Sequence, residues 1–292
     1  MDHPSATADA AASSGAASTS AAAPCAVEFE HVSFAFDDHV ILRDVSFRVP
    51  TGGMTVILGA SGTGKSTVLK LILGLLRPDA GTILVNGQRV DQMPEHDLLQ
   101  LRGDVGMLFQ ETALFDSLTV AENVGYRLYE EMHTPIDEAD ARVAEVLGFV
   151  GLADLQKRMP SELSGGQRRR VAIARAIASR PSLLLFDDPT TGLDPVTATS
   201  VDDEVVKLRD LENVTSILVT HQIRDAYYVA THEAVKHNGD LDIVPAGEEK
   251  TAHTRFLVLH DTRIYFEGTA NELLASEDAF LKEFLFMTLP PW

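Results

Sequence analysis

Cysteine and tryptophan each occur once in this chain, and 24 basic residues face 43 acidic ones. A single thiol, Cys25, excludes a disulfide framework and a cysteine-based metal site, and fits a reducing compartment. The formal charge of -19 argues against nucleic acid or anionic lipid as the main binding partner, because a dense negative field repels phosphate except at local basic sites. No run approaches the roughly 18 to 20 consecutive apolar residues of a membrane span, so any membrane role must run through a partner. What the 292 residues do have is a 45% apolar content, ample for one large packed domain or two modest ones.

Residues 1 to 24 are almost all Ala, Ser, Thr and Asp, too poor in large apolar groups to offset their ordering entropy. They are predicted to form a disordered tail, with Cys25 at its end. They lack the basic start and Leu-rich stretch of a secretory signal. From Val27 to Val49 apolar residues alternate around a turn at Asp37-Asp38-His39, which predicts an antiparallel β element. A strand is expected over Thr55–Leu58, a helix over Val68–Leu76, and strands over Thr82–Val85 and Val105–Phe109, with a turn at Asn86-Gly87. Three helices follow, Val120–Tyr129, Asp137–Phe149 and Gly166–Ala178, in an inserted helical block spanning about 111–180. Arg168, Arg169 and Arg170 read there as a solvated or dimer-facing surface rather than a nucleic-acid site.

Periodicity fades over about 231–254, read as an insertion, and His232, His237, His253 and His260 read as solvated loop residues rather than metal ligands. A hairpin around His260-Asp261-Thr262 follows. Residues 269–292 are then expected to carry a C-terminal amphipathic helix, with Phe280, Leu281, Phe284 and Leu285 on one face and a stop at Pro290-Pro291.

The chemistry gathers at strand ends. Gly59-Ala60-Ser61-Gly62-Thr63-Gly64-Lys65-Ser66-Thr67 joins an apolar strand to a helix. Its glycines let unpaired backbone N–H groups wrap a phosphate, Lys65 can reach the terminal phosphates, and Ser66 can place its hydroxyl on Mg²⁺. Leu183–Phe186 is a fully apolar run ending in Asp187-Asp188, and Ser216–Thr220 ends in His221, so carboxylates and imidazole fall at the carboxyl tips of buried strands. Phosphoryl transfer from ATP needs a cradle, a Mg²⁺ carboxylate and a group orienting the attacking water. The phosphate loop supplies the first, Asp187 the second, and Asp188, Gln110 and His221 are candidates for the third.

Leu163-Ser164-Gly165-Gly166-Gln167, then Asp187-Asp188-Pro189, then Gly192-Leu193-Asp194-Pro195, resembles the signature, Walker B and D-loop of ABC-type ATPase domains, over roughly residues 27 to 230 and more weakly to 289. That resemblance implies an α/β P-loop NTPase fold. It has a RecA-like core sheet, an N-terminal antiparallel β subdomain and an inserted α-helical subdomain, within a domain spanning 27–268. It implies ATP and Mg²⁺ as cofactors, with Ser66, Gln110 and Asp187 around the metal and Lys65, Gln110, Asp188 and His221 in the chemistry. Phe36 would stack on adenine. Ser164, Gly165, Gly166 and Gln167 would meet the ATP held by a second copy, with Asp194 at the seam. A membrane permease would complete the assembly and hold the chain, otherwise cytoplasmic, at the inner face of the cytoplasmic membrane. Asp188 departs from the family's usual Glu and is one methylene shorter, which implies slow hydrolysis.

The wording of Met107–Gln110, Ala113–Val124, Met159–Ser164 and Thr190–Pro195 is similar to that of the ATPases of Mla-type phospholipid transporters, which work with MCE-domain lipid-binding proteins. Sugar, polyamine and amino-acid importers use related wording. Two further alternatives stay open: a soluble ABC ATPase acting on ribosomes or DNA, and a nucleotide-gated clamp that does not turn over.

Overall fold

The computed structural model describes residues 24–212, 214–237 and 240–288. The Ala/Ser-rich tail up to residue 23 and the Pro290-Pro291 stop lie outside them. Strands β1 (Cys25–Phe36) and β2 (His39–Pro50) form the expected hairpin, and β4 (Ala80–Val85) pairs on the other edge of β1, with β5 (Gln88–Arg89) beyond it. β3 (Met54–Leu58) joins a separate six-stranded sheet with β6 (Val105–Leu108), β7 (Leu183–Asp187), β8 (Thr215–Thr220), β11 (Thr254–His260) and β12 (Arg263–Gly268). Its order is β12-β11-β3-β8-β7-β6, parallel throughout except at the β12 edge.

Alternation along these strands builds two cores. Ile57, Leu183, Leu185, Ile217, Val219, Leu257 and Leu259 face α1 (Lys65–Ile72) and the antiparallel sheet, where Val27, Phe29 and Phe47 join them. Val56, Leu58, Leu108, Leu184, Phe186, Leu218 and Val258 point the other way. There they meet α3 (Val120–Glu130), α4 (Ile136–Phe149), α5 (Gly165–Ala178), α6 (Pro195–Leu211) and α7 (Ile223–Thr231). Successive residues of a strand point to opposite faces, so strands lying between two such layers are apolar along most of their length rather than alternating.

Several expectations need correction. α1 ends at Ile72, not Leu76, because Gly74 turns into the left-handed region (φ 61°) and the N–H groups of Leu75 and Leu76 fold back onto the Lys70 carbonyl. β6 stops at Leu108, leaving Phe109 exposed. A further helix, α2 (Glu95–Gly103), lies before β6. Cys25 is not in a tail: it opens β1 opposite Pro50 and is half-buried. The described residues of the stretch 231–254 are regular. β9 (His232–His237) and β10 (Asp240–Pro245) form a hairpin, and α8 (Glu248–Ala252) follows. Asp210 ties this stretch to α6 by accepting from Ala234 N–H (2.9 Å) and pairing with Lys250 (2.9 Å). His232 stacks on Tyr228 and His260 on Phe280, so neither is a solvated loop residue. The C-terminal helix is two, α9 (Ala270–Leu274) and α10 (Ala279–Thr288), broken where the Asp278 carboxylate accepts from the Leu281 N–H. Leu281, Phe284 and Leu285 are buried in the larger core.

Candidate active site

The parallel strands β3, β8, β7 and β6 are neighbours, and each hands a functional residue to the same edge of the sheet. The phosphate loop leaves β3, His221 follows β8, Asp187-Asp188 end β7, and Gln110 lies two residues past β6. The carboxyl ends of parallel strands are where open α/β sheets bind ligands.

At the start of α1, Gly64 has φ 98°, and a Cβ there would fall 2.7 Å from the Ile41 side chain of β2. Only glycine allows the loop to curl this tightly against the first hairpin. Lys65 is 5% exposed, and its Nζ donates to the Gly59 and Ala60 carbonyls (2.9 and 3.0 Å). Burial pulls its pKa down, against the opposing pull of Asp188 and Asp187. Ala60, Ser61 and Gly62 are exposed, Thr63 donates its hydroxyl to the Ala60 carbonyl, and Thr67 is half-buried in the first turn.

Ser66 Oγ donates to Asp187 Oδ1 at 2.8 Å, so the two groups suited to a divalent cation already face each other. Burial raises the Asp187 carboxyl above the usual range, the Ser66 bond works against that, and the charge of Asp188 adds to it. A hydroxyl and a buried carboxylate facing each other, with a second carboxylate beside them, are hard oxygen donors of the kind Mg²⁺ takes, so the residues present fit that ion.

Asp188 sits at φ 44°, an uncommon backbone state for a residue with a side chain. Its Oδ1 accepts from the His221 main-chain N–H (3.1 Å) and lies 2.9 Å from His221 Nδ1. Neither was foreseeable from spacing. Thr190 donates to Asp225 and accepts from Gln222 Nε2 (3.0 Å), which ties the chain after β7 to the chain after β8. Sequence reading missed Asp225, because an acid in the first turn of a helix reads as a dipole partner.

Ser164 and Gln167 cap α5 reciprocally. Gln167 N–H donates to Ser164 Oγ (3.2 Å), and Ser164 N–H donates to Gln167 Oε1 (2.9 Å). Gly166 abuts Thr197, where a Cβ would come within 2.3 Å, so the tip of α5 presses on the start of α6. Asp194 caps α6 through Val196 and Thr197 N–H (both 3.1 Å), and its carboxyl is held below the usual range by Thr197. Among the described residues, no hydrogen bond joins Ser164–Gln167 to the phosphate loop. Phe36 is 49% exposed at the tip of the first hairpin, edge-on to Phe34. The arginines of α5 are not a solvated patch: Arg168 donates to Leu163 O (2.6 Å), Arg170 to Val150 O (3.2 Å), and Arg169 is buried.

A glycine-rich loop leaving a parallel strand, a buried Lys, and a Ser–Asp pair at the next tips define a phosphate-loop nucleotide hydrolase. Residues 42–191 match the family model for ABC transporters. The chain is 35% identical over 259 residues, 89% of either chain, to the intermembrane phospholipid transport system ATP-binding protein MlaF of Haemophilus influenzae. It is 43% identical over 218 residues, 73% of this chain and 65% of the other, to the methionine import ATP-binding protein MetN of Nocardia farcinica. Among solved structures it resembles the ATP-binding cassette MJ0796, a dimeric post-hydrolysis state bound to ADP and Pi. That likeness has TM-score 0.67 and 29% identity, covering 83% of this chain and 98% of that one. The chain belongs to the ABC transporter family. It is an ATPase of that family, with ATP and Mg²⁺ as its cofactors.

Proposed function

We propose that this chain is the ATP-hydrolysing subunit of a transporter that moves phospholipid, working as a head-to-tail pair docked on a membrane permease. The observation that carries the cargo is extent: the likeness to the phospholipid system's ATPase runs over 89% of both chains. The methionine-import relative is more identical over a shorter share, and keeps an amino-acid importer as the second reading.

In this account Phe36 stacks on adenine and the loop from Gly59 to Thr67 wraps the phosphates, with Lys65 exchanging its Gly59 and Ala60 carbonyls for phosphate oxygens. Ser66 and Asp187, together with Gln110, would hold Mg²⁺. When bound, the ion neutralises charge spread over the terminal phosphate oxygens. Asp188 orients and polarises the attacking water, for which it must loosen its contact with His221. His221 then turns to the γ-phosphate. The start of α5, whose first N–H groups at Gly165 and Gly166 have no partner within the helix, suits an anion presented by the opposite copy. Asp194 holds α6 at that seam. Dimeric neighbours such as MJ0796 support the pairing. Leu99, Phe109, Phe115 and Tyr126, all partly exposed, line a groove of about 450 Å³ between sheet and helical block, which suits an apolar segment of a permease. That contact would hold the chain at the inner face of the cytoplasmic membrane, with an MCE-domain lipid-binding protein as a further partner.

Isolating the native complex from membranes and identifying its subunits tests this reading. A permease together with an MCE-domain protein is expected, and a sugar- or amino-acid-type permease in their place overturns the lipid assignment.

A further inference from the structure

Arg169 is 4% exposed, and among the described residues its partners are main-chain carbonyls. Its Nη1 donates to Phe109 O (2.9 Å) and Gln110 O (2.7 Å), and its Nη2 to Thr191 O (3.4 Å). It thus spans from α5 to the loop that leaves β6 and to the chain running from Asp188 to Asp194. The neighbouring arginines do otherwise. Arg168 and Arg170 reach carbonyls at Leu163 and Val150, inside the helical block. Further along α5, Arg175 holds the same loop by two carbonyls past Glu111, Thr112 (3.0 Å) and Ala113 (2.8 Å). Thr112 and Ala113 lie at φ 30° and 49°, in the region that residues with a Cβ disfavour. The loop carrying Gln110 therefore keeps an unfavourable shape under two guanidinium groups, whose planar forks can serve two carbonyls at once.

We propose that Arg169 is the positioning residue for Gln110. It fastens the main chain at Gln110 to the α5 helix and to Thr191, so that Gln110, Ser164–Gly166 and the approach to Asp194 move as one body. The groove lined by Phe109, Phe115 and Arg175 opens on the same loop, so a partner seated there acts on the nucleotide site through the loop that Arg169 fastens. The inference rests on the role given to Gln110 above.

Two measurements on the full chain test it. Hydrogen exchange should run about tenfold faster over residues 109–113 in Arg169→Met than in wild type, with β7 and β8 unchanged. In steady-state phosphate release, Arg169→Met should lose roughly tenfold in kcat with the ATP KM within about twofold. The double variant Gln110→Ala/Arg169→Met should then be no slower than Gln110→Ala alone, the non-additivity of residues acting through one another. Arg169→Lys, which keeps the charge without the fork, should move both readouts in the same direction by less, and it carries the test if the methionine variant does not fold. Unchanged exchange over 109–113, or losses that multiply in the double variant, overturn the inference. A wild-type chain that releases no phosphate would sink the ATPase role of Gln110 and leave the exchange result to decide on Arg169.

Discussion

Asp188 is held from three sides: a left-handed main chain, the His221 N–H and the His221 ring. In the proposed role on the attacking water, being one methylene shorter than Glu, it would have to approach the water by about that length, and misplacements of this size can cost on the order of 10²-fold in rate. Asp188→Glu should therefore raise kcat for phosphate release, and Asp188→Asn should lower it by on the order of 10²-fold. A steady-state assay in which Glu is no faster and Asn no slower would remove Asp188 from the water's path. Asp187, Asp188 and His221 were legible in the sequence because each stands where a largely apolar strand stops. Arg169 was not. Within a run of three arginines it reads as a solvated or dimer-facing surface, and the carbonyls that hold it belong to residues 60 and 59 positions earlier and 22 positions later, which no local pattern reveals.

Helices α6 and α7 pack with two carboxylates between them. Asp225 is engaged by Thr190 and Arg224, whereas among the described residues one oxygen of the buried Asp202 has no hydrogen-bond partner. Burial first, then the charge of Asp225, pushes Asp202 up to about 8, with Arg224 opposing and Asp203 adding a little. An unfolded aspartate ionises near 3.8, so between there and about 8 the folded chain keeps a proton that the unfolded chain has lost. This contribution to stability is full below the lower value and is lost as pH rises toward the higher one. Asp202→Asn removes that dependence, so its thermal midpoint should exceed that of wild type at pH 8 and the gap should narrow at pH 5. Equal gaps at the two pH values would contradict the assignment. The other elements show where periodicity stops informing. The end of α1 was set by Gly74 rather than by the apolar run beyond it. The hairpin at 232–245 escaped notice because its residues are half-buried or exposed, so little alternation marks it.

At the scale of the whole molecule, the fold class was legible because its motifs follow one another in the family's order. The strand order β3-β8-β7-β6 was not, since parallel neighbours are distant in sequence and their pairing rests on non-local contacts. That order is what brings Lys65, Ser66, Asp187, Asp188, His221 and Gln110 to one edge. It leaves Ser164–Gln167 at the start of α5, joined by no described hydrogen bond to the phosphate loop. In the proposed pairing these are two half-sites that a second copy would complete. Phosphate release from Mg-ATP, measured against chain concentration for wild type and Lys65→Ala, tests this most directly. The account predicts slow release whose rate per chain rises with concentration as copies pair, and which Lys65→Ala abolishes. Release that survives Lys65→Ala, or a rate per chain independent of concentration down to high dilution, would contradict it.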